Sequence, residues 1–226
     1  MNKISIGTTY YNNPSYLVDF VDRNINYVDE MIIVDDGSSD QAITHMPYHE
    51  KIKLYRIKKD YGFNSHGCRN LIMKETSNQY TILMDIDRIF LYPEIAYDIL
   101  KNKKLNTNTL YRFVAHANMT EAHQSVNDFL ISKEHFFSAG GYDEEIIGER
   151  WGDREYFKQL LHFGKEELLY GVDMLLTRKP SNYVGGHAKS KHDKPISLSG
   201  KKIIERRIKR PEPQKPILTF EWERLF

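Results

Sequence analysis

The segment QYTILMDIDRIF, residues 79–90, joins a short apolar run to a pair of acids. Its first half, residues 80–84, is rich in residues that favour β-structure, which predicts a buried strand. Asp85 and Asp87 follow, and their carboxylates are expected on one side because side chains alternate along a strand. Two like charges side by side repel, and a divalent cation, which prefers carboxylate oxygens, would explain the pair. The alternative is a solvated strand end with two unrelated acids.

Strands and helices alternate around this segment. The predicted elements up to residue 90 are strands at residues 3–9, 30–34, 52–57 and 80–84, with helices beginning at Pro14 and Cys68. This alternation predicts an α/β fold, a three-layer α/β/α sandwich with a mostly parallel central sheet. The carboxyl ends of such strands share one edge, and ligands bind at that edge. Three polar strand ends are therefore expected at one crevice: Thr8-Thr9, Asp35-Asp36 and Asp85-Asp87.

The second half of the chain has a less regular pattern. Its predicted strands lie at residues 109–115, 126–131, 168–172 and 174–177, and its predicted helices are a short one capped by Ser132 and a longer one at residues 153–163. Residues 189–216 carry ten Lys or Arg against three acids, together with four prolines. That composition predicts a solvated or mobile tail.

Composition excludes several classes of protein. With 226 residues the chain is long enough for one α/β domain with a full core, or for one domain and a tail. Lys and Arg number 32 against 31 acids, which argues against a nucleic-acid binder. One cysteine, Cys68, allows no disulfide framework and indicates a reducing, cytoplasmic location. No run approaches the ~20 apolar residues of a transmembrane segment.

Two common phosphate-binding motifs do not occur in the sequence. The first predicted strand ends in Gly7-Thr8-Thr9-Tyr10-Tyr11 rather than in Gly-x-Gly-x-x-Gly, and the chain has no Gly-x-x-x-x-Gly-Lys-Ser/Thr segment. Dinucleotide enzymes and P-loop nucleotidases are therefore disfavoured. If a nucleotide binds, a metal ion and basic side chains must neutralise its phosphates.

Five segments, in this order and spacing, resemble family 2 glycosyltransferases of the GT-A fold: residues 33–40, 62–70, 83–87, 138–144 and 151–153. The last two also look like the acceptor half of β-1,4-galactosyltransferases and chondroitin-type polymerases. The resemblance implies a single GT-A (nucleotide-diphospho-sugar transferase) domain at residues 1–188. Its nucleotide-sugar-binding half would be residues 1–105 and its acceptor half residues 106–188, followed by a basic, proline-containing segment at residues 189–226.

The resemblance also implies which residues hold the donor nucleotide. The first strand end, which flanks the base, corresponds to Thr8, Thr9 and Tyr10. The acid that accepts a hydrogen bond from the uracil ring corresponds to Asp36 or to Asp35. The other of these two acids is expected to form only an Asx turn.

Further positions correspond to the family's phosphate and metal site. Arg69 matches a basic residue near the nucleotide, and a cation close to an Asp pair forms either a salt bridge or a phosphate contact. Asp85 matches the residue that contacts ribose, often with a water-mediated metal contact, and Asp87 matches the direct metal ligand. His187 would complete the metal shell, with His192 as its rival. Imidazole with carboxylates suits Mn²⁺ better than Ca²⁺, and Mg²⁺ is the alternative ion.

The acceptor motif departs from the family's usual Trp-Gly-x-Glu-Asp. Aligning the helix that follows places Asp153 on the family's catalytic base and Glu155 on the acid two residues later, with Glu155 as the rival base. Alternatively, both acids only stabilise a helix N-terminus. Gly152 replaces the glutamate that often holds the acceptor. The implied acceptor-binding positions are Gly141, Tyr142, Trp151 and Gly152.

Together these features imply a metal-dependent inverting glycosyltransferase that moves a hexosyl or N-acetylhexosaminyl group from a UDP-sugar to a hydroxyl of a carbohydrate or another acceptor. The altered acceptor motif leaves a non-catalytic sugar-nucleotide or glycan-binding module as an alternative. A nucleotidyltransferase would need a phosphate loop rich in glycine and lysine near the N-terminus, and the sequence has none. The basic segment after His187 is either a lid over the diphosphate or a tail.

Overall fold

The computed structural model describes residues 1–40, 42–62, 64–118, 121–146, 152–176, 202, 205 and 217–226. The described strands are β1 (Ile4–Tyr10), β2 (Glu30–Asp35), β3 (Ile52–Ile57), β4 (Tyr80–Leu83), β5 (Arg88–Phe90), β6 (Thr109–Asn118), β7 (Glu121–Ser132), β8 (Lys165–Leu176) and β9 (Trp222–Arg224). The described α-helices are α1 (Pro14–Asn24), α2 (Ser65–Glu75), α3 (Pro93–Asn102), α4 (Lys133–Ser138) and α5 (Gly152–Phe163).

These strands form one sheet in the order β5-β8-β6-β7-β4-β1-β2-β3-β9. The neighbours β4, β1, β2 and β3 are parallel, as are β6 and β8. The other neighbouring pairs are antiparallel. The expected α/β fold is confirmed, and the parallel half of the sheet is the half that the sequence predicts from alternating strands and helices.

Helices cover both faces of the sheet. Along β2, Met31 and Ile33 belong to a core that includes residues of α1 and α3. Ile32 and Val34 belong to a second core that includes residues of α2, α4 and α5. Because successive side chains of a strand point to opposite faces, a strand buried on both sides is apolar throughout. The three-layer architecture follows from these two cores.

Helix starts agree with local signals in some places and differ in others. Ser132 caps α4 as predicted, since its hydroxyl accepts a hydrogen bond from the amide of His135 at 2.9 Å. Asn13 precedes Pro14 but makes no side-chain cap, and its amide nitrogen donates to the carbonyl of Tyr11 instead. The helix α2 begins earlier than predicted, at Ser65.

The two acids of the opening segment do not lie on a strand. Strand β4 ends at Leu83, and the amide of Arg88 donates to the carbonyl of Asp85 at 3.0 Å. Residues 85–88 therefore form a turn, and the expectation that strand alternation aligns Asp85 with Asp87 is wrong. We refer to these four residues as the Asp85–Arg88 turn.

Strand β8 replaces the two short strands predicted at residues 168–172 and 174–177. Gly171 has a φ of +79°, a conformation that glycine adopts easily. The pairing with β6 shifts at this place, from Phe113 opposite Leu169 to Val114 opposite Asp173. Strand β8 thus continues through a bulge. The bulge interrupts the alternation of side chains, and the sequence pattern therefore predicts two strands in place of one.

Residues 217–226, at the end of the predicted C-terminal segment, pack into the domain. Strand β9 pairs antiparallel with β3, and the amide of Leu54 donates to the carbonyl of Phe226 at 2.9 Å. Phe220 is 6% exposed and packs on α2, where a Cβ at Gly67 would lie 2.5 Å from its ring. The basic and proline-rich composition that predicts a tail belongs to residues 189–216, whereas residues 217–226 are rich in apolar side chains.

Within the described part of the chain, no helix combines the length and the apolar character that a membrane span requires.

Candidate active site

The carboxyl ends of β1, β2 and β4 meet at one edge of the sheet, as the sequence predicts. Tyr10 at the end of β1 pairs with Asp35 at the end of β2. On the other side of β1, Gly7 pairs with Leu83, and its carbonyl accepts the amide of Met84 at 3.0 Å. The Asp85–Arg88 turn therefore begins beside the end of β1, in the crevice where parallel sheets bind ligands.

Asp35 and Asp36 have different environments. Asp35 accepts from the amide of Ser38 at 2.9 Å and from Nε of Arg56 at 2.7 Å, so both of its carboxylate oxygens have partners within the protein. Asp36 is fully buried and accepts from the amide of Asn64 at 2.8 Å. Burial raises the pKa of Asp36 to about 8. Asp35 is thus the acid that forms the Asx turn with Ser38. Asp36 is therefore the better candidate for contact with a nucleobase.

The aromatic residue at the end of β1 is not placed as expected. The ring of Tyr10 is fully buried, and its hydroxyl donates to Asp40 at 2.7 Å. The next residue, Tyr11, is partly exposed and donates to Asp60 at 3.0 Å. Burial, followed by the hydrogen bond to Asp60, raises the pKa of Tyr11 to about 12. Tyr11, which directly follows β1, is thus the tyrosine with an exposed portion at this strand end, whereas Tyr10 is a core residue.

The two threonines at this strand end have hydroxyl groups that are shielded from solvent. Thr8 is 1% exposed, and its hydroxyl oxygen has no hydrogen-bond partner among the described residues. Thr9 is only partly buried, but its hydroxyl oxygen is also shielded from solvent. Both residues lie near the carboxyl end of a strand that is otherwise buried.

Asp85 is bound by three neighbours. Its carboxylate accepts from Nη2 of Arg69 at 2.7 Å and from Nδ2 of Asn127 at 3.1 Å. Its backbone amide donates to the carboxylate of Asp128 at 2.8 Å. Burial and the nearby Asp85 carboxylate raise the pKa of Asp128 to about 7. Asn127 and Asp128 belong to β7, and no motif in the sequence points to either residue.

Arg69 is almost completely buried and has several protein partners. Its Nη1 donates to the carbonyl of Asn127 at 2.8 Å and to the hydroxyl of Tyr142 at 3.1 Å, and it lies 3.8 Å from the Asp153 carboxylate. Burial alone would lower the pKa of Arg69, but Tyr142 and then Asp85 and Asp153 raise it, so that the guanidinium stays charged. Of the two expected roles, the structure contains the salt bridge, and a phosphate contact stays a prediction.

Asp153 lies in the first turn of α5, beside the same guanidinium. Its side chain is 22% exposed, and its Oδ2 lies 4.0 Å from Nε2 of His66. The ring of His66 is fully buried and stacks on Tyr142 with 5.2 Å between centroids. Burial lowers the pKa of His66, which favours the neutral imidazole. The structure therefore places Asp153 and Asp85 beside different nitrogens of the Arg69 guanidinium, with Asp153 at 3.8 Å from Nη1 and Asp85 at 2.7 Å from Nη2.

The expected acceptor-binding residues divide into two groups. Tyr142 is fully buried, and its amide donates to Oδ1 of Asn70 at 2.8 Å. Gly141 has a φ of +74°, and a Cβ there would lie 2.8 Å from the same oxygen. Tyr142 therefore presents no surface to an acceptor and instead supports Arg69. Gly152 is the first residue of α5, whereas Trp151 and the side chain of Glu155 lie outside the described part of the chain.

The metal site is described only in part. Asp85 and Asp87 belong to the Asp85–Arg88 turn, whereas His187 and His192 lie outside the described residues. Within the described ranges, no three His, Cys, Asp or Glu side chains form a group that could hold an ion. Mg²⁺-like ions are commonly held by one or two carboxylates together with substrate phosphates. A turn with two carboxylates fits a divalent ion that binds together with a diphosphate.

A family model described as Glycosyl transferase family 2 matches residues 5–122, a range that includes both the Asp35-Asp36 strand end and the Asp85–Arg88 turn. The chain belongs to glycosyltransferase family 2. A search of curated proteins by sequence gave no match.

Solved structures agree with this family. The mannosyltransferase PcManGT from Pyrobaculum calidifontis, in complex with GDP-Man and Mn²⁺, has a TM-score of 0.60 at 13% identity over 92% of this chain and 69% of its own. S. aureus TarS 1–349 with UDP has a TM-score of 0.59 at 14% identity, and GalNAc-T7 with UDP, GalNAc and Mn²⁺ has 0.60 at 14% identity. Each covers 79% of this chain, which spans 61% of the TarS structure and 44% of GalNAc-T7. At these identities the likeness shows the fold, which is the GT-A fold of family 2.

Proposed function

We propose that this family 2 protein is a metal-dependent inverting glycosyltransferase that moves a sugar from a UDP-sugar to a hydroxyl of a carbohydrate acceptor. The observation that carries the proposal is the position of Arg69 between two acids. Its guanidinium donates to Asp85 at 2.7 Å and lies 3.8 Å from Asp153. Asp85 belongs to the proposed donor site and Asp153 is the candidate general base for the acceptor. Arg69 therefore links the donor side and the acceptor side of the proposed transfer reaction.

The charges at the crevice support a requirement for metal. Among the described side chains at this site, the acids Asp85, Asp87, Asp128 and Asp153 outnumber the cations Arg69 and Arg88. A diphosphate would be repelled there unless a cation bound with it. A bound Mn²⁺ or Mg²⁺ would stabilise the negative charge of the leaving diphosphate. The two similar structures that hold Mn²⁺ are consistent with this choice.

Asp153 has the properties expected of the general base. Its side chain is partly exposed at the start of α5, so an acceptor hydroxyl can approach it. In the proposed reaction Asp153 takes the proton of that hydroxyl while the oxygen attacks the anomeric carbon. Attack from the face opposite the leaving diphosphate inverts the anomeric centre, and an α-linked donor therefore gives a β-linked product.

The donor and the location are finer parts of the proposal. Asp36 is the acid proposed to accept from the nucleobase, with the partly exposed ring of Tyr11 beside the same strand end. A uracil or a guanine ring carries an N–H that could donate to a carboxylate, and UDP is the first choice. The transferred group is proposed to be a hexosyl or N-acetylhexosaminyl group. The buried, unpaired Cys68 supports a cytoplasmic location.

A non-catalytic module that binds sugar nucleotides or glycans is the second candidate. It is favoured by one observation, the glycine at position 152 where relatives usually carry an acceptor-binding glutamate. Such a module would bind UDP with Mn²⁺ but would not turn over any donor. Binding and turnover must therefore be measured separately.

The deciding experiment is a screen of UDP- and GDP-sugars with Mn²⁺ that measures the released nucleoside diphosphate. We expect slow hydrolysis of one UDP-sugar that is lost in Asp87→Ala and retained in Asp22→Ala. Asp22 is a matched control because it is an exposed acid on α1. Intact donor binding without turnover of any sugar nucleotide would contradict the enzyme and favour the binding module.

A further inference from the structure

Strand β7 departs from regular pairing where it faces the candidate site. Phe129 pairs with Arg112 of β6, but the next register position joins Gln124 to Val114. An advance of two residues along β6 thus corresponds to five along β7, so that residues 125–128 form a bulge. Bulges beside active sites commonly redirect side chains. The bulge at residues 125–128 directs Asn127 and Asp128 towards the Asp85–Arg88 turn.

Internal bonds hold the bulge in one conformation. The hydroxyl of Ser125 donates to the Asp128 carboxylate at 2.5 Å and accepts from the amide of the same residue at 3.2 Å. The carbonyl of Ser125 accepts from Nε of Arg112 at 2.8 Å. The Arg112 guanidinium also lies 4.9 Å from the ring centroid of Phe157 on α5. These contacts fix the bulge independently of the turn that it faces.

Asp128 contacts both ends of the Asp85–Arg88 turn. Its carboxylate accepts the amide of Asp85 at 2.8 Å and lies 3.4 Å from Nε of Arg88, a distance typical of an ion pair. The side chain of Asp128 has no exposed surface, and that of Arg88 is 17% exposed. Arg88, for which the sequence offers no role, is therefore the countercharge of a buried acid. Asp87 lies in the turn between Asp85 and Arg88, and both of these residues contact Asp128.

We infer that Asp128 is a positioning residue that fixes the Asp85–Arg88 turn, so that the Asp87 carboxylate meets the diphosphate-bound cation in one orientation. The inference rests on the proposed function, because it concerns the same metal and donor. Asp128 has no role as a ligand of its own, since Asp85, Ser125 and Arg88 surround its buried carboxylate. It acts on the cation only through the backbone of the turn.

The test measures binding of Mn²⁺ in the presence of UDP, by titration calorimetry, without any turnover. Residues that orient metal ligands without binding the metal themselves typically raise metal affinity by ~10–100-fold. We expect Asp128→Asn to weaken Mn²⁺ binding by about that factor and Ser125→Ala to weaken it less. The matched control is Glu30→Gln, which changes a buried acid of β2 that contacts Ser5 and Lys53 at the opposite edge of the sheet. It should leave Mn²⁺ binding unchanged.

Thermal unfolding of every variant separates positioning from loss of folding. If Asp128→Asn is unfolded because Arg88 is left without its countercharge, the double variant Asp128→Asn/Arg88→Met removes both charges and is titrated in its place. Wild-type Mn²⁺ affinity in either folded variant overturns the inference, and so does equal weakening in Glu30→Gln. If wild-type protein binds UDP equally well with and without Mn²⁺, the proposed metal-dependent function fails first and the inference fails with it.

Discussion

The guanidinium of Arg69 donates to the carboxylate of Asp85 over 2.7 Å, and the arginine side of this pair is almost completely buried. The pair joins helix α2 to the turn that follows β4. The same guanidinium also lies beside Asp153, the candidate general base. The positions of the Asp85–Arg88 turn and of Asp153 therefore both depend on the side chain of Arg69.

Loss of Arg69 should therefore reduce stability as well as activity. We expect Arg69→Met to lower the free energy of unfolding by about 1.5–3 kcal/mol, because the Asn127 carbonyl and the Asp85 carboxylate lose hydrogen bonds from a charged group. Asp85→Asn should have a smaller effect, since Asp85 is partly exposed and Arg69 keeps two other oxygen partners. Urea unfolding of both single variants and of the double variant measures the coupling. Additive effects would show that the pair contributes nothing to stability.

The general base can be identified by two isosteric changes. We expect Asp153→Asn to lower kcat by roughly 10²–10⁴-fold and to leave donor affinity unchanged, because the acid acts on the acceptor proton. Glu155→Gln, two residues along α5, should reduce kcat much less. Steady-state kinetics with the donor found in the screen, together with UDP binding, decide between them. The reverse pattern would make Glu155 the base.

Binding of the nucleobase should depend on pH through Asp36. An N–H of the nucleobase donates more strongly to the ionised carboxylate than to the protonated acid, and burial raises the pKa of Asp36 to about 8. Nucleobase binding therefore favours loss of this proton, and affinity for uridine should rise as pH increases towards 8, by at most about tenfold per unit. Uridine is preferred to UDP because it lacks phosphates that titrate in this range.

The control for this measurement is Asp36→Asn, in which the affinity for uridine should be constant between pH 6 and 8. An affinity that falls as pH rises in the wild type would show that the protonated carboxyl donates to the base instead. A flat profile in the wild type would remove Asp36 from the base site.

The packing of residues 217–226, which include β9, against the rest of the domain should depend on Glu144. The Glu144 carboxylate accepts from Nδ2 of Asn70 at 2.8 Å, from the amide of Leu218 at 2.8 Å, and from the amide and hydroxyl of Thr219 at 2.9 Å. We expect Glu144→Ala to lower the free energy of unfolding by at least ~2 kcal/mol, the contribution of one hydrogen bond to a charged group. It should also expose residues 217–226 to limited proteolysis.

The neighbouring change Glu145→Ala is the matched control, because Glu145 is exposed. It should leave both the unfolding curve and the proteolysis pattern as in the wild type. Equal proteolysis in both variants would contradict an anchoring role for Glu144.

Sequence signals that act between near neighbours predicted the structure well. The cap of α4 is predictable because Ser132 bonds within its own helix turn. Strand β3 is predictable from its apolar residues, although it is buried on both faces, with Ile52 and Leu54 in one core and Tyr55 and Ile57 in the other. The edge of the sheet with Asp35 and Asp85 was also predicted, since parallel strands must end together. The same reasoning failed at Asp87, because a pattern that is regular along a strand does not reveal where the strand gives way to a turn.

Contacts between distant segments could not be predicted in this way. Asn127 and Asp128 reach Asp85 only because β7 bulges, and no local composition marks the position of that bulge. The burial of Tyr142 under Arg69 likewise depends on packing between α2 and the segment that follows α4. The role of Arg88 depends in the same way on Asp128, which belongs to a strand distant in sequence.

Strand β9 has a consequence for how the protein is made. Synthesis proceeds from the N-terminus, and β3 emerges long before its partner β9. Until then β3 forms an open edge whose unpaired amides and carbonyls can recruit a strand from another molecule. Nascent chains that stall before residue 217 should therefore be the species most prone to aggregate in the cell.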